Sequence, residues 1–246
     1  MCSIHYSEII FQLRNIGYPL ERVRVFHGHL IHPTYLLNEV TDFLSMDYIY
    51  SAQYLNVISS NLTPGAAEVA DRLDHLTHAF RNSPTSGLVL EFGVFRGDSF
   101  FHLQSLTDRM VYGFDSNRGF EGEEWSGLKF HGYQPLPAAL EQDKGFIEGW
   151  FEDTLPTFLE RNSGPVAFVH YDAGELNAAR FVLGKVFPRL RPRSVLVFDE
   201  LLATDDANGG SSPEWIAFQE AVSASGAKFE WIARSGHSAS VRITEL

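Results

Sequence analysis

The sequence predicts an α/β fold: a doubly wound, mostly parallel sheet of seven strands that ends in an antiparallel hairpin and follows an N-terminal helical cap. Three observations predict it. Five short apolar runs recur after residue 87, amphipathic segments separate them, and two further strand-like pieces close the chain around a short connection. Runs of that length suit strands buried on both faces, and strands that alternate with helices pair in parallel.

Residues 1–83 carry aromatic and aliphatic side chains at mixed helical spacing, including Tyr35–Leu44 and Ala66–Phe80, which predicts helices. The turn formers of Arg81–Gly87 end this stretch. The chain therefore divides into a cap, 1–83, and a main domain, 84–246. The expected parallel strands are Leu88–Phe92, Val111–Phe114, Phe146–Glu148, Val166–Tyr171 and Val195–Phe198. Helices are expected at Ser99–Leu106, Leu155–Glu160 and Asn177–Leu190, and right-handed crossovers place them on both faces. A Gly-rich loop, 205–213, and a helix near Glu214–Ser223 follow. The last pieces, Phe229–Ala233 and Ala239–Ile243, are joined closely enough for a hairpin, whereas a nicotinamide-binding domain would continue with parallel units.

With 246 residues, 44% of them apolar, the chain has the composition of an ordinary globular protein. No apolar run nears the roughly 20 residues of a membrane helix, and the N-terminus lacks the basic start and apolar stretch of a secretory signal. A cytoplasmic, membrane-free protein is expected. The single cysteine, Cys2, excludes an internal disulfide. A net charge of −12, with scattered basic residues, argues against nucleic acid as a partner.

Chemistry concentrates where the expected strands end. In Leu90–Ser99 a strand runs into a turn with Gly93 and Gly97 and then into a helix, so backbone can approach a ligand and opening N–H groups can hold an anion. Glu91 stands two residues before Gly93, where a dinucleotide fingerprint needs glycine. An acid there repels pyrophosphate and favours an aminium or sulfonium. Asp115 ends the next strand, roughly 20 residues on, placed to accept ribose hydroxyls.

Glu91, Gly93 and Gly97 resemble the acidic-x-Gly-x-x-x-Gly motif of the class I methyltransferases, which have a Rossmann-like fold. The segment Ile147–Pro156, with Gly149, two aromatics and Asp153-Thr-Leu-Pro156, resembles the one after the third strand in the macrocin O-methyltransferase (TylF-like) family, and that resemblance covers roughly residues 87–222. It implies S-adenosylmethionine as cofactor, held by Glu91, Gly93, Arg96, Gly97, Ser99, Asp115 and Asp172. It further implies that Trp150 and Phe151 stack on the adenine, with Glu152 or Asp153 at its exocyclic amine.

The fourth parallel strand ends His170-Tyr-Asp172 and the fifth Phe198-Asp199-Glu200. As neighbours about 4.8 Å apart they bring their carboxylates together. Three clustered carboxylates call for a cation, and oxygen ligands suit Mg²⁺ or Ca²⁺. The resemblance implies a divalent metal at Asp172, Asp199 and Glu200 that holds the acceptor's vicinal oxygens and acidifies its hydroxyl. Family members usually read Asp-x-Asp here; this chain reads Asp172-Ala-Gly-Glu175. Glu175 either replaces the base with a one-residue slip or favours the start of the next helix. His170 alternates with Asp172 and so faces the same side, as a further candidate base or as a hydrogen-bonded core histidine. His27, His29 and His32 have a spacing that fits neither a helical zinc pair nor a thiolate site.

The expected activity is methyl transfer to a hydroxyl of a small metabolite, a sugar or a secondary-metabolite scaffold, with the N-terminal helices capping the acceptor pocket and loop 205–213 as a lid or a plain connection. The alternatives are a catalytically silent protein that keeps the cofactor fold as a scaffold and, less favoured for want of a third glycine, a nicotinamide-dependent oxidoreductase. A homo-oligomer is consistent with aromatics in the N-terminal helices.

Overall fold

The computed structural model describes residues 63–118, 136–203 and 211–246, and the backbone of 24–26 and 29–31. The expected helix at 35–44, the side chains of His27, His29 and His32, and positions 204–210 of the Gly-rich loop lie outside the described residues. Strands β1 (Arg24–Phe26) and β2 (His29–Ile31) form a small antiparallel hairpin.

Five parallel strands form the centre: β4 (Leu88–Phe92), β5 (Val111–Asp115), β6 (Phe146–Glu148), β7 (Val166–Tyr171) and β8 (Val195–Phe198). All five stand where the apolar runs predict, and β7 and β8 are buried along their whole length. The hairpin of β9 (Lys228–Ser235) and β10 (Ser238–Glu245) adds antiparallel to β8. One more strand, β3 (Ala67–Glu68), pairs parallel with β9, so the sheet has eight strands rather than seven. Residues 67–68 were expected to open a helix; they extend instead, and Glu68 reaches Arg234 at 3.1 Å. The order is β3-β9-β10-β8-β7-β4-β5-β6. From β4 the chain winds outward to β6, then crosses back to β7, so the direction of winding reverses between β4 and β7. In open α/β sheets that switch point, beyond the carboxyl ends of the strands, is where ligands bind.

Six α-helices are described. Helix α1 (Arg72–Arg81) and α2 (Asp98–Ser105) cover one face of the sheet, where Leu76, Phe80, Phe100 and Leu103 pack with Val89, Phe168 and Val197. The short α3 (Ala138–Glu141) buries Leu140 in the same cluster. Helices α4 (Phe151–Arg161), α5 (Leu176–Val186) and α6 (Pro213–Ser225) cover the other face, where Leu155, Val182, Leu183 and Phe218 pack with Phe92, Phe114, Tyr171 and Phe198. Side chains alternate across a strand. Glu91 therefore follows Val89, His170 and Asp172 follow Phe168, and Asp199 follows Val197, all on the face covered by α1 and α2.

The boundary expected at 83/84 runs through one packed body, because α1 lies before it and its Phe80 meets Phe168 edge-on, with centroids 5.1 Å apart. None of the described helices is long and apolar enough to cross a membrane.

Phe92 is fully buried between Phe114, Phe151 and Tyr171. Phe92→Ala is expected to cost about 3–5 kcal/mol in urea unfolding, the usual range for an emptied aromatic site.

Candidate active site

The turn after β4 is fixed by its neighbours on both sides. Gly93 has φ +86°, and a Cβ there would sit 1.9 Å from the Asp172 carbonyl oxygen. Only glycine lets the β4 and β7 loops come this close. The Asp172 N–H donates to Phe92 O at 2.8 Å and the Gly93 N–H to Phe114 O at 2.9 Å. Asp115 Oδ2 accepts the N–H groups of Val94 and Phe95, both at 2.8 Å, and its Oδ1 accepts that of Asn117 at 2.7 Å. The expected ribose ligand thus also fastens the glycine turn. Gly97, with φ +91°, opens α2 without a side-chain cap, and a Cβ there would press on the Phe101 ring at 2.7 Å.

Glu91 is completely buried. Ser99 Oγ donates to its Oε1 at 2.5 Å, while Oε2 has no hydrogen-bond partner among the described residues. His170, paired with Glu91 in register, lies 3.3 Å from Glu91 Oε1 through Nδ1 and 3.8 Å from Asp199 Oδ1 through Nε2. Burial opposes charge on this ring, but the Asp199 and Glu91 carboxylates outweigh it and raise its pKa to about 9. Of the two readings of His170, a base or a hydrogen-bonded core histidine, its burial between two carboxylates favours the second.

The cation that joins the acids comes from α1. Arg72 Nε donates to both oxygens of Asp199, at 2.8 and 2.9 Å, and Nη2 donates to Asp172 Oδ2 at 2.5 Å. It is the first residue of its helix, after the N-cap Asp71, where the macrodipole disfavours a positive charge. The carboxylates explain its place. Burial disfavours the Asp199 anion, yet Arg72 and His170 hold its pKa well below the usual carboxylate range. Asp172 moves the other way: burial and the repulsion of Asp199 push it up to about 7 against the pull of Arg72 and His170.

His170, Asp172 and Asp199 each offer a ligand atom within 4.8 Å of the others. Glu200 is not in this group; its peptide N–H is bound by Glu214 Oε2 at 2.8 Å. Glu214, buried in the first turn of α6, has its own pKa raised by burial and by Glu200. Glu175 forms the N-cap of α5 without a side-chain cap bond, three residues beyond Asp172. Trp150 is the N-cap of α4, Phe151 packs edge-on against Phe92 at 5.5 Å, and Glu152 and Asp153 are exposed in the first helical turn. Arg96 is exposed and lies over the Phe95 ring, 5.4 Å from its centroid.

One turn along α1 from Arg72, the buried His75 bridges Ser240 Oγ (2.9 Å from Nε2) and Ser238 Oγ (3.0 Å from Nδ1). Ser238 also donates to Phe198 O, and burial lowers the His75 pKa to about 4. The bridge ties α1 to β10 and so holds Arg72 in place. Sequence reading missed Arg72, His75 and Glu214. The available signal was an arginine directly after an Asp N-cap, against the helix dipole.

Residues 90–201 match the family model of methyltransferase domains. The chain is 27% identical over 161 residues to mycinamicin III 3''-O-methyltransferase of Micromonospora griseorubida, covering 52% of this chain and 62% of that enzyme. It thus spans less than two thirds of that relative's length. Among solved structures, the O-methyltransferase NovP aligns with a TM-score of 0.54 at 16% identity, over 79% of this chain and 99% of NovP. CalS11, a TDP-rhamnose 3'-O-methyltransferase of calicheamicin biosynthesis, aligns with a TM-score of 0.51 at 19% identity, over 80% of this chain and 95% of CalS11. The fold is that of the class I methyltransferases.

The folded-state pKa of His170 lies above its ordinary 6.5. Its contribution to stability is therefore fully present below about pH 6.5 and is lost as pH rises through about 9. Urea midpoints of the wild type are expected to fall across that window, and those of His170→Gln to fall less steeply.

Proposed function

We propose that this chain is an S-adenosylmethionine-dependent O-methyltransferase of the macrocin O-methyltransferase type, acting on a hydroxyl of a small metabolite, a sugar or a secondary-metabolite scaffold. The observation that carries the reading is the coincidence of the methyltransferase-domain match with a buried acid at the switch point whose Oε2 lacks a partner. An orphaned, fully buried carboxylate oxygen beside a glycine turn suits a ligand that brings an N–H or cationic group. The names of the curated relative and of CalS11 describe methyl transfer to a 3''-oxygen and to a TDP-sugar, which supports an oxygen acceptor. A net charge of −12 favours a small molecule over nucleic acid.

When bound, S-adenosylmethionine supplies an electrophilic methyl group. In this reading Glu91 and the backbone of 93–97, with Arg96 and Ser99, hold its amino-acid end, Asp115 accepts ribose hydroxyls, and Trp150, Phe151 and Glu152 border the adenine. Asp172 takes the acceptor's proton. Its pKa near 7 matches the requirement on a general base working at neutral pH, and Arg72 holds its carboxylate in place. A divalent metal at Asp172, Asp199 and Glu200 does not fit the arrangement: Arg72 already binds the first two, and a third ligand would have to come from His170, which is enclosed between Glu91 and Asp199, or from Glu200, which is not in the group.

Calorimetric titration with S-adenosylmethionine is expected to give saturable binding by the wild type, weakened at least about tenfold by Asp115→Ala. No binding by wild type would end the proposal. Because Asp115 also holds the Val94 and Phe95 amides, circular dichroism of the variant accompanies the titration. In assays with sugar and phenol acceptors at saturating cofactor, Asp172→Asn is expected to lower kcat by roughly 100-fold or more. Wild-type kcat/KM is expected to rise with pH through about 7, as Asp172 loses its proton. Single-turnover assays without transfer to any acceptor would favour the silent scaffold that the altered Asp172–Glu175 run suggests.

A further inference from the structure

Two carboxylates of neighbouring strands, converging where a sheet ends, make an oxygen-ligand site in need of positive charge. In this chain the charge arrives from an unexpected direction. The Arg72 guanidinium spans the two carboxylates: its one Nε–H is shared between both oxygens of Asp199, at 2.8 and 2.9 Å, and Nη2 donates to Asp172 at 2.5 Å, so a single cation meets both acids through charge-assisted hydrogen bonds. It enters against the dipole of its own helix, from a segment anchored by Asp71 on one side and by His75 on the other. His170, the third potential ligand, is enclosed between Glu91 and Asp199 at 3.3 and 3.8 Å. A divalent ion within bonding distance of Asp172 and Asp199 would have to displace the guanidinium or share their oxygens with it at close, repulsive range.

We propose that Arg72 is the resident cation of this pocket and stands in the place of a divalent metal between Asp172 and Asp199. The binding claim is independent of the methyltransferase reading; only its consequence, that methyl transfer here proceeds without a metal, rests on that reading. Arg72 neutralises the pair and fixes the orientation of Asp172, while its side chain as a whole keeps an exposure of 37%.

Mn²⁺ binding to the full chain, followed by electron paramagnetic resonance, tests this without any turnover. Wild type and Asp199→Asn are expected to bind Mn²⁺ equally weakly. Arg72→Met, which exposes the acidic pair, is expected to bind it at least about tenfold more tightly, and the double variant Arg72→Met/Asp199→Asn to lose that gain. Tight wild-type binding that Asp199→Asn abolishes overturns the proposal, as does a folded Arg72→Met with no gain. Should Arg72→Met fail to fold, the comparison of wild type with Asp199→Asn decides alone, and Arg72→Lys, which keeps the charge, is expected to fold and to bind no better than wild type. S-adenosylmethionine binding, measured on the same wild-type preparation, reports separately on the methyltransferase reading.

Discussion

Glu91, Asp172 and Asp199 are carboxyl groups withdrawn from bulk water at one edge of the sheet, and the rest of the site depends on how their charge is compensated. Two cations meet them. His170 lies within the layer of acids, and Arg72 closes it from α1. Removing one partner of a buried pair typically costs about 3–5 kcal/mol, and the partial exposure of Arg72 places its share toward the lower, screened end. That cost ties α1 to the acidic layer: the acids are tolerable only with the helix docked, and its apolar side, Leu76, Ala79 and Phe80, docks it.

The same edge is where the backbone is least able to vary. The β4 and β7 loops touch at Gly93 and Asp172, so closely that a single added carbon would collide with a carbonyl. Asp115 holds the other side of the turn through two peptide N–H groups. A glycine motif that reads as a ligand cradle is therefore demanded first by strand-to-strand approach. Both readings hold together, since the turn that lets two loops meet also leaves Glu91 behind it, buried, with one oxygen unsatisfied.

Much of the sheet was legible in the sequence because its strands are buried on both faces. Runs such as Val166–Tyr171 and Val195–Phe198 have no polar alternation to confuse them with surface strands. Helix starts were less legible. Helix α4 begins at Phe151, four residues before the expected Leu155, because Phe151 anchors on Phe92 and the helix carries Pro156 inside it, where a proline signals a first turn from sequence alone. The two-residue β3 exists only by pairing with a strand some 160 residues later. The acids of the site were found by their position at strand ends, which local pattern supplies. Arg72 was not, since it meets Asp172 and Asp199 across 100 and 127 residues of chain, and nothing local records such a contact.

Within the cluster the members are not equivalent, and on the proposed reading the differences favour Asp172 for the proton-handling role. Asp199 holds the Arg72 Nε–H between its two oxygens, with its pKa pulled down, so it is a poor acceptor for a hydroxyl proton. His170 is sealed in between Glu91 and Asp199. Asp172 alone combines a single bond to Arg72 with a pKa raised toward neutrality, and its side chain is 13% exposed against 6% for Asp199. Its N–H donates to Phe92 O, so its main chain is held while its side chain stays partly exposed. A general base needs both conditions, a rigid support and an open face. On the proposed reading, the change from Asp-x-Asp to Asp172-Ala-Gly-Glu175 leaves the chemistry on the first acid, with Glu175 left to start a helix.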